Sequence, residues 1–209
     1  MKTDNALMTV AIIAVIVSIV GAGITYSHLA NFRNKVTGFA TDLGYVNLTV
    51  EESVSLNFTT ASVNWGSGRV NDGASSALLD TTNYTAANVT NGNWTGNSAG
   101  LVLENIGNKN VTLELKATSD NASFIGGTAG SGPLFNWRFN ATEANSCVNA
   151  TPLNLWAPVN TTGDGTLVCD YFNYLDALDQ LRIDFFVRIP SDSITGARGN
   201  TITATFAAA

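Results

Sequence analysis

The chain has 209 residues and a formal net charge of −6, from ten lysine and arginine residues and sixteen aspartate and glutamate residues. Charged residues make up 12% of the chain, about half their share in an average soluble domain, and 24 Asn and 25 Thr supply polarity instead. Binding to nucleic-acid phosphates requires clustered lysines and arginines, and their scarcity excludes a nucleic-acid partner.

An uncharged, strongly apolar run occupies residues 7–26, near the beginning of a chain that is otherwise polar. About 20 residues in an α-helix, at about 1.5 Å rise per residue, cross a bilayer core of about 30 Å. The run therefore predicts a membrane-length helix. Its position leaves three interpretations: a signal peptide, a membrane anchor, or the assembly helix of a filament subunit.

The predicted helix continues beyond the membrane-length run. Apolar residues recur there at steps of three and four, at Leu29, Phe32, Val36 and Phe39. This spacing places them on one helix face, so we expect one helix over residues 7–40. A cleavable secretory signal has an apolar region of only about 7–15 residues, although the small residues Gly21, Ala22 and Gly23 leave cleavage open. We divide the chain into a leader (1–6), a hydrophobic helix (7–43) and a β-rich head domain (44–209).

The head domain alternates apolar and polar residues, which is the period of a half-buried β-strand. The alternating segments are residues 54–58, 111–115, 135–139, 181–189 and 202–206. Residues 101–104 and 111–115 flank a turn-forming sequence and predict a β-hairpin. Residues 66–100 lack a sustained period, and we expect a long loop there with a short strand or helical turn at residues 77–79. Many short strands with polar turns predict an antiparallel β-sandwich after the helix, in the α+β class.

The two cysteines, Cys147 and Cys169, enclose a segment rich in turn-forming residues. Their spacing matches no metal-binding pattern. In an exported domain an even number of cysteines indicates a disulfide, and the alternative is a pair of buried free thiols.

Asn-X-Ser/Thr triplets, the acceptor motif for N-glycosylation, are about twice as frequent as random placement would give. They begin at Asn47, Asn57, Asn83, Asn88, Asn93, Asn110, Asn121, Asn140, Asn149 and Asn160. We expect glycans at some of these sites, first at Asn83, Asn88 and Asn93, where the surrounding segment is polar and rich in glycine.

Catalytic and metal-binding chemistry is poorly represented in the head domain. The single histidine, His28, lies in the helical segment, so the head domain lacks a histidine base for nucleophilic catalysis. We expect no enzymatic activity, no metal and no cofactor. Trp137 lies on an alternating strand and is predicted to be in the core, and Trp94 is expected to pack locally. Trp65 and Trp156 border turns. For these two side chains we keep two alternatives, stacking on sugars and packing at the rim of the core.

The first residues resemble a known family. Asn5 and Ala6 are followed by Leu7, Met8, Thr9, Val10, Ala11, Ile12 and Ile13. This short polar leader, small residue and uninterrupted apolar helix, ahead of a β-sandwich, resemble archaeal type IV pilins and archaellins. The resemblance implies cleavage between Ala6 and Leu7 by a prepilin peptidase, after which the freed helices pack in the filament core. Residues 100–115 and 192–206 resemble the immunoglobulin-like β-sandwiches of archaeal surface proteins.

We therefore expect a structural filament subunit outside the cell that is inserted in the membrane before assembly. Its partners are other copies of itself, with surface glycans or cell surfaces as adhesion targets. The residues expected in the filament core are Leu7, Val10, Ile13, Val17, Val20, Ile24 and Phe32.

Two alternatives stay open. One is a monomeric surface or adhesion domain held in the membrane by the uncleaved helix. The other is a secreted fibre subunit that loses its helix at Gly23 or Ser27 and assembles by strand exchange. The mature N-terminus separates the three, at Leu7, at Met1, or near Ile24 and His28.

Overall fold

The computed structural model describes residues 2–33, 48–82, 88–96, 99–148 and 154–209. The chain forms two compact units, Met1–Thr49 and Val50–Ala209. The first contains one uninterrupted helix, α1 (Lys2–Arg33), which begins within the predicted leader and includes the whole apolar run. The predicted continuation of the helix through Val36 and Phe39 lies outside the described residues.

The second unit consists of antiparallel strands and one short helix. Its strands are β1 (Leu56–Thr60), β2 (Ser76–Asp80), β3 (Asn88–Thr90), β4 (Leu101–Asn105), β5 (Val111–Ala117), β6 (Leu134–Ala141), β7 (Cys147–Val148), β8 (Ala157–Pro158), β9 (Thr166–Phe172), β10 (Gln180–Pro190) and β11 (Ile202–Ala208). The helix α2 (Asn121–Phe124) begins at Asp120, whose carboxylate accepts a hydrogen bond from the backbone N–H of Ser123 at 2.8 Å. An apolar helix followed by antiparallel sheets agrees with the predicted α+β class.

The strands form two sheets. In the larger sheet β10 is central: β6 pairs along one of its edges, and β4 and then β2 share the other. Beyond these lie β1 next to β4, β3 next to β2, and β8 next to β6. The smaller sheet has the order β11-β5-β9-β7.

One apolar core receives side chains from both sheets. In β4, β5 and β6 burial alternates along the strand, because successive side chains point to opposite faces. The largest fully buried side chains include Trp137 and Phe139 from the larger sheet and Leu113 and Phe172 from the smaller one. The alternating segments therefore become strands as predicted, and Trp137 is a core residue as predicted.

The predicted hairpin between residues 101–104 and 111–115 is wrong. β4 pairs with β1 and β10 in the larger sheet, whereas β5 pairs with β11 and β9 in the smaller one. Asn105 occupies the crossing. Its buried side-chain amide donates to the carbonyl of Phe172 in β9 at 3.1 Å and to that of Lys109 at 3.0 Å. Local alternation identifies both strands, but it cannot show that the chain changes sheets between them.

The segment 66–100 contributes more structure than the predicted loop. β2 pairs with the second half of β10 over five residues, and β3 pairs with β2. Ala77 and Leu79 of β2 are fully buried. A strand with only two inward apolar residues gives a weak periodic signal, so its place in the sheet depends on the pairing with β10.

A buried charge cluster lies at the β4–β2 junction, the point along β10 where pairing with β4 stops, at Ile183, and pairing with β2 starts, at Phe186. The Asp184 carboxylate accepts from Arg182 at 2.6 Å, from the hydroxyl of Thr81 at 3.0 Å and from Arg138 at 3.2 Å. The Thr81 backbone N–H donates to the carbonyl of Phe185 at 3.1 Å, and its hydroxyl accepts from the Phe185 N–H at 2.9 Å. These contacts replace the ladder bonds that neither neighbouring strand supplies at this point.

The disulfide joins Cys147 in β7 to Cys169 in β9, with Cα atoms 5.2 Å apart. This pairing agrees with the prediction from the sequence. It fixes the two-residue strand β7 to the edge of the smaller sheet, where hydrogen bonds alone would hold it weakly.

Candidate functional site

Residues 7–26 of α1 present an apolar surface on every side of the helix. Each large aliphatic side chain from Leu7 to Ile24, Met8 included, is between 50% and 69% exposed within the structure. The stretch of α1 from Leu7 to His28 is long and apolar enough to cross a membrane, by length and composition. Removing such side chains from water stabilises a protein by about 1.5–3 kcal/mol each when burial is complete. The summed driving force for covering this helix is therefore on the order of 10 kcal/mol.

The polar side chains on α1 are adapted to surroundings without water. The hydroxyl of Ser18 donates to the carbonyl four residues earlier at 2.9 Å, and that of Thr25 donates to the carbonyl of Gly21 at 2.8 Å. The hydroxyl of Ser27 donates to the carbonyl three residues earlier at 2.8 Å. Because these hydroxyl groups bond to the helix itself, they can enter lipid or a helix bundle without losing a partner.

Gly21 and Ala22, two of the small residues that leave cleavage open, also lie among regularly spaced small residues on α1. Ala14, Ser18 and Ala22 recur at every fourth position, which places them on one face of the helix. Gly21 lies beside this face, with open space where a Cβ atom would be. Small residues at this spacing allow the backbones of two apolar helices to approach closely. The predicted filament-core residues Leu7, Val10, Ile13, Val17, Val20 and Ile24 are exposed around the helix, and Phe32 lies within α1.

The glycosylation motifs fall into three groups in the structure. Asn57, Asn88 and Asn93 are exposed. Asn110, Asn121, Asn140 and Asn160 are half-buried. Asn47, Asn83 and Asn149 lie outside the described residues.

The side-chain amide nitrogen, which carries the sugar in an N-glycan, is already bonded at two of the half-buried motifs. In Asn121 it donates to the carbonyl of Pro133 at 2.9 Å, and in Asn160 to the carbonyl of Gly165 at 2.7 Å. At Asn93 the side-chain oxygen accepts a hydrogen bond from the Arg69 backbone N–H at 2.6 Å. The geometry therefore favours modification at the exposed motifs.

The head tryptophans are occupied by protein contacts. Trp94 and Trp65 are half-buried and pack against the core. The ring of Trp156 lies 5.6 Å from that of Phe186, and the Arg138 guanidinium lies 4.9 Å from the Trp156 ring centre. The half-buried rings of Trp65 and Trp94 also line a cavity.

This cavity has a volume of about 1160 Å³, and polar and apolar atoms contribute about equally to its walls. It is lined by the apolar face of the larger sheet and by residues 61–70, 191 and 193–202. Of the described residues around it, those that carry a charge are Arg69 and Arg198.

Asp179 and Asp192 are among the head-domain carboxylates with a shifted pKa, each for a structural reason. Burial raises the pKa of Asp179, and the nearby carboxylates of Glu143, Glu104 and Asp176 raise it further. Hydrogen bonds from the backbone N–H groups of Ala129 and Thr128 hold the pKa of Asp192 below its usual value.

Neither group belongs to a recognisable catalytic arrangement. Asp192 links the segment after β10 to residues 128–129: its carboxylate accepts from the Ala129 N–H at 2.8 Å and from the Thr128 hydroxyl at 2.9 Å. Glu143, next to Asp179, accepts from two backbone N–H groups at the start of β10. Within the described ranges, no group of three or more His, Cys, Asp or Glu side chains is placed to hold a metal ion.

Comparisons with protein-family models, with curated proteins and with solved structures find no match for this chain. The interpretation of its function therefore depends on the chemistry of α1 and the head domain.

Proposed function

We propose that this protein is the structural subunit of an extracellular, type IV pilus-like filament that assembles through its N-terminal helix. The observation that carries the proposal is the all-round apolar surface of residues 7–26 in α1, joined in one chain to a head domain with its own closed core. An apolar helix of this kind is stable only in lipid or among other apolar helices.

The proposed assembly keeps α1 away from water throughout. The helix first lies in the membrane, then moves into a bundle of identical helices after cleavage between Ala6 and Leu7. The head domains, in an immunoglobulin-like arrangement, decorate the outside. Each subunit contacts its neighbours through two different surfaces, and such contacts build an open helical assembly.

The mainly uncharged head surface and its exposed glycosylation motifs support a location outside the cell. A surface with few charged side chains binds water through side-chain amides, hydroxyl groups and attached sugars. The disulfide between β7 and β9 also fits an oxidising compartment.

The test is a matched pair of Ile→Asp substitutions in the full chain, expressed in the cells that produce it. Ile16 in α1 and Ile106 in the head domain are 55% and 57% exposed, so both receive the same chemical change at similar exposure. Ile16→Asp would place an unpaired carboxylate among apolar helices, at a cost of several kcal/mol per subunit. We expect filaments from Ile106→Asp and none from Ile16→Asp, as judged by electron microscopy of sheared cell surfaces. Filaments from Ile16→Asp would reject the proposal.

A second candidate function is a monomeric binding domain that the uncleaved helix holds in the membrane. The cavity lined by Trp65 and Trp94 favours it, because a closed structural subunit does not need such a space. N-terminal sequencing of the native protein distinguishes the two: a first residue Leu7 supports the filament, and Met1 supports the anchored monomer.

A further inference from the structure

The outermost strands of the two sheets differ in how well they are protected against pairing with another chain. β3 has three residues, and β7 and β8 have two each. β8 ends in Pro158, and β1 contains an irregularity between Phe58 and Thr60. Short length, proline and bulges are the usual devices that prevent one sheet edge from adding to another.

β11 has none of these protections. It runs for seven residues, pairs with β5 in continuous register from Ile202 to Ala208, and carries neither charge nor proline. In the part of the chain that the structure describes, β5 is its only strand partner. A long, regular, uncharged edge strand is a template for strand addition.

The register shows which backbone groups of β11 face outward. Thr118 donates to the carbonyl of Thr201 at 2.9 Å, and Ala209 donates to the carbonyl of Asn110 at 3.0 Å. Odd-numbered residues of the strand therefore bond to β5, since bonding alternates along an antiparallel ladder. The N–H and C=O groups of the even-numbered residues point to the open edge, at Ile202, Ala204, Phe206 and Ala208.

We propose that β11 pairs with β11 of a second copy of this chain, antiparallel and about a twofold axis at Thr205. In this register each outward residue faces an outward residue of the other copy: Ala204 faces Phe206, and Ile202 faces Ala208. All outward groups are then used, in about eight backbone hydrogen bonds. The second copy is favoured as the occupant because the edge is self-complementary and carries no charge, in a chain whose net charge is −6.

The pairing has a consequence that rests on the proposed filament. All subunits of a polar helical filament point the same way, so a twofold contact cannot join neighbours along it. Pairing through β11 would instead link head domains of two antiparallel filaments. The function of this edge is then lateral bundling, separate from assembly through α1.

The experiment compares two cysteine variants of the full chain, first as detergent-solubilised protein. Thr205 and Thr203 are both exposed and lie on the same face of β11. At the twofold axis the two copies of residue 205 form a non-hydrogen-bonded pair with Cα atoms about 4.5 Å apart, which permits a disulfide. Residue 203 faces Ala207, and its own copies lie about 13 Å apart, too far for a disulfide. The described part of the unmodified chain has no free cysteine that would compete.

We expect Thr205→Cys to form a covalent dimer under mild oxidation, with a yield at least about tenfold above that of Thr203→Cys. Peptide mapping should locate the link at residue 205, with Cys147 and Cys169 still joined to each other. Equal yields from the two variants, whether high or low, would overturn the proposal.

A pair of lysine variants separates this pairing from assembly. Thr205→Lys places like charges opposite each other at the axis, whereas Thr203→Lys faces an alanine. We expect single filaments from Thr205→Lys and bundles from Thr203→Lys. Bundles from both variants would overturn the role of β11, and the absence of filaments from unmodified protein would instead reject the proposed function.

Discussion

Replacement of Asp184 by Asn should severely destabilise the head domain. The Asp184 side chain is 1% exposed, and it is bonded to Arg182, Arg138 and the Thr81 hydroxyl. Arg182 is itself 4% exposed, so the substitution removes the negative charge that lies 2.6 Å from this buried guanidinium. Removing one partner of a buried ion pair costs about 3–5 kcal/mol.

The control for this substitution is Asp72→Asn. Asp72 lies 4.0 Å from Arg69, and both side chains are largely exposed. Exposed pairs at this distance contribute about 0–1 kcal/mol. The two variants therefore make the same chemical change in a buried pair and in an exposed pair.

The assay is urea unfolding of a fragment that contains residues 50–209, with the disulfide intact. The free energy of unfolding falls by about 2 kcal/mol per M of urea. The loss of stability expected for Asp184→Asn therefore lowers the urea midpoint by about 1.5–2.5 M. Asp72→Asn should change the midpoint by less than about 0.5 M. A loss below about 1 kcal/mol for Asp184→Asn would show that the cluster at the β4–β2 junction does not stabilise the sheet, and would refute the reasoning.

Three further predictions concern the head domain. Because burial and neighbouring carboxylates raise the pKa of Asp179, its charged form opposes folding at neutral pH, and protonation relieves this as the pH falls through the raised pKa. Asp179→Asn should therefore increase the free energy of unfolding at pH 7, and this increase should become smaller as the pH falls. An increase that becomes larger on acidification would contradict the expected pH dependence. Replacing Cys147 and Cys169 together by Ala should cost about 3 kcal/mol of stability, measured by the same unfolding assay, and an unchanged midpoint would show that the bridge contributes little. Glycopeptide mass spectrometry of native protein should find sugar at Asn93 and none at Asn160, and the reverse pattern would contradict the assignment from amide hydrogen bonding.

The sequence predicts the local elements of this protein better than their pairing. The alternating segments around Leu113, Trp137 and Ile183 all become strands, because each has one face in the core. The period of two carries no information about the sheet to which a strand belongs. The sequence therefore predicts a hairpin at the connection that follows Asn105, although in the structure this connection crosses from one sheet to the other.

The buried charges of the head domain were also not predicted. Arg182 and Asp184 occupy polar positions of an alternating strand, which predicts exposure, yet both are buried at the junction with Thr81. Burial at these positions results from β4 and β2 sharing one edge of β10, a tertiary arrangement with no local signal. For the apolar run of α1 the situation is simpler, because the uncharged composition of residues 7–26 specifies an apolar surface at every angle around the helix.

Cryo-electron microscopy of filaments taken from the cells that produce this protein would examine assembly through α1 directly. Such assembly predicts a core of packed helices formed by residues 7–28, with the head domains outside and Leu7 as the first residue of each subunit. A filament in which head domains join through strand exchange, with no helical density along the axis, would contradict it.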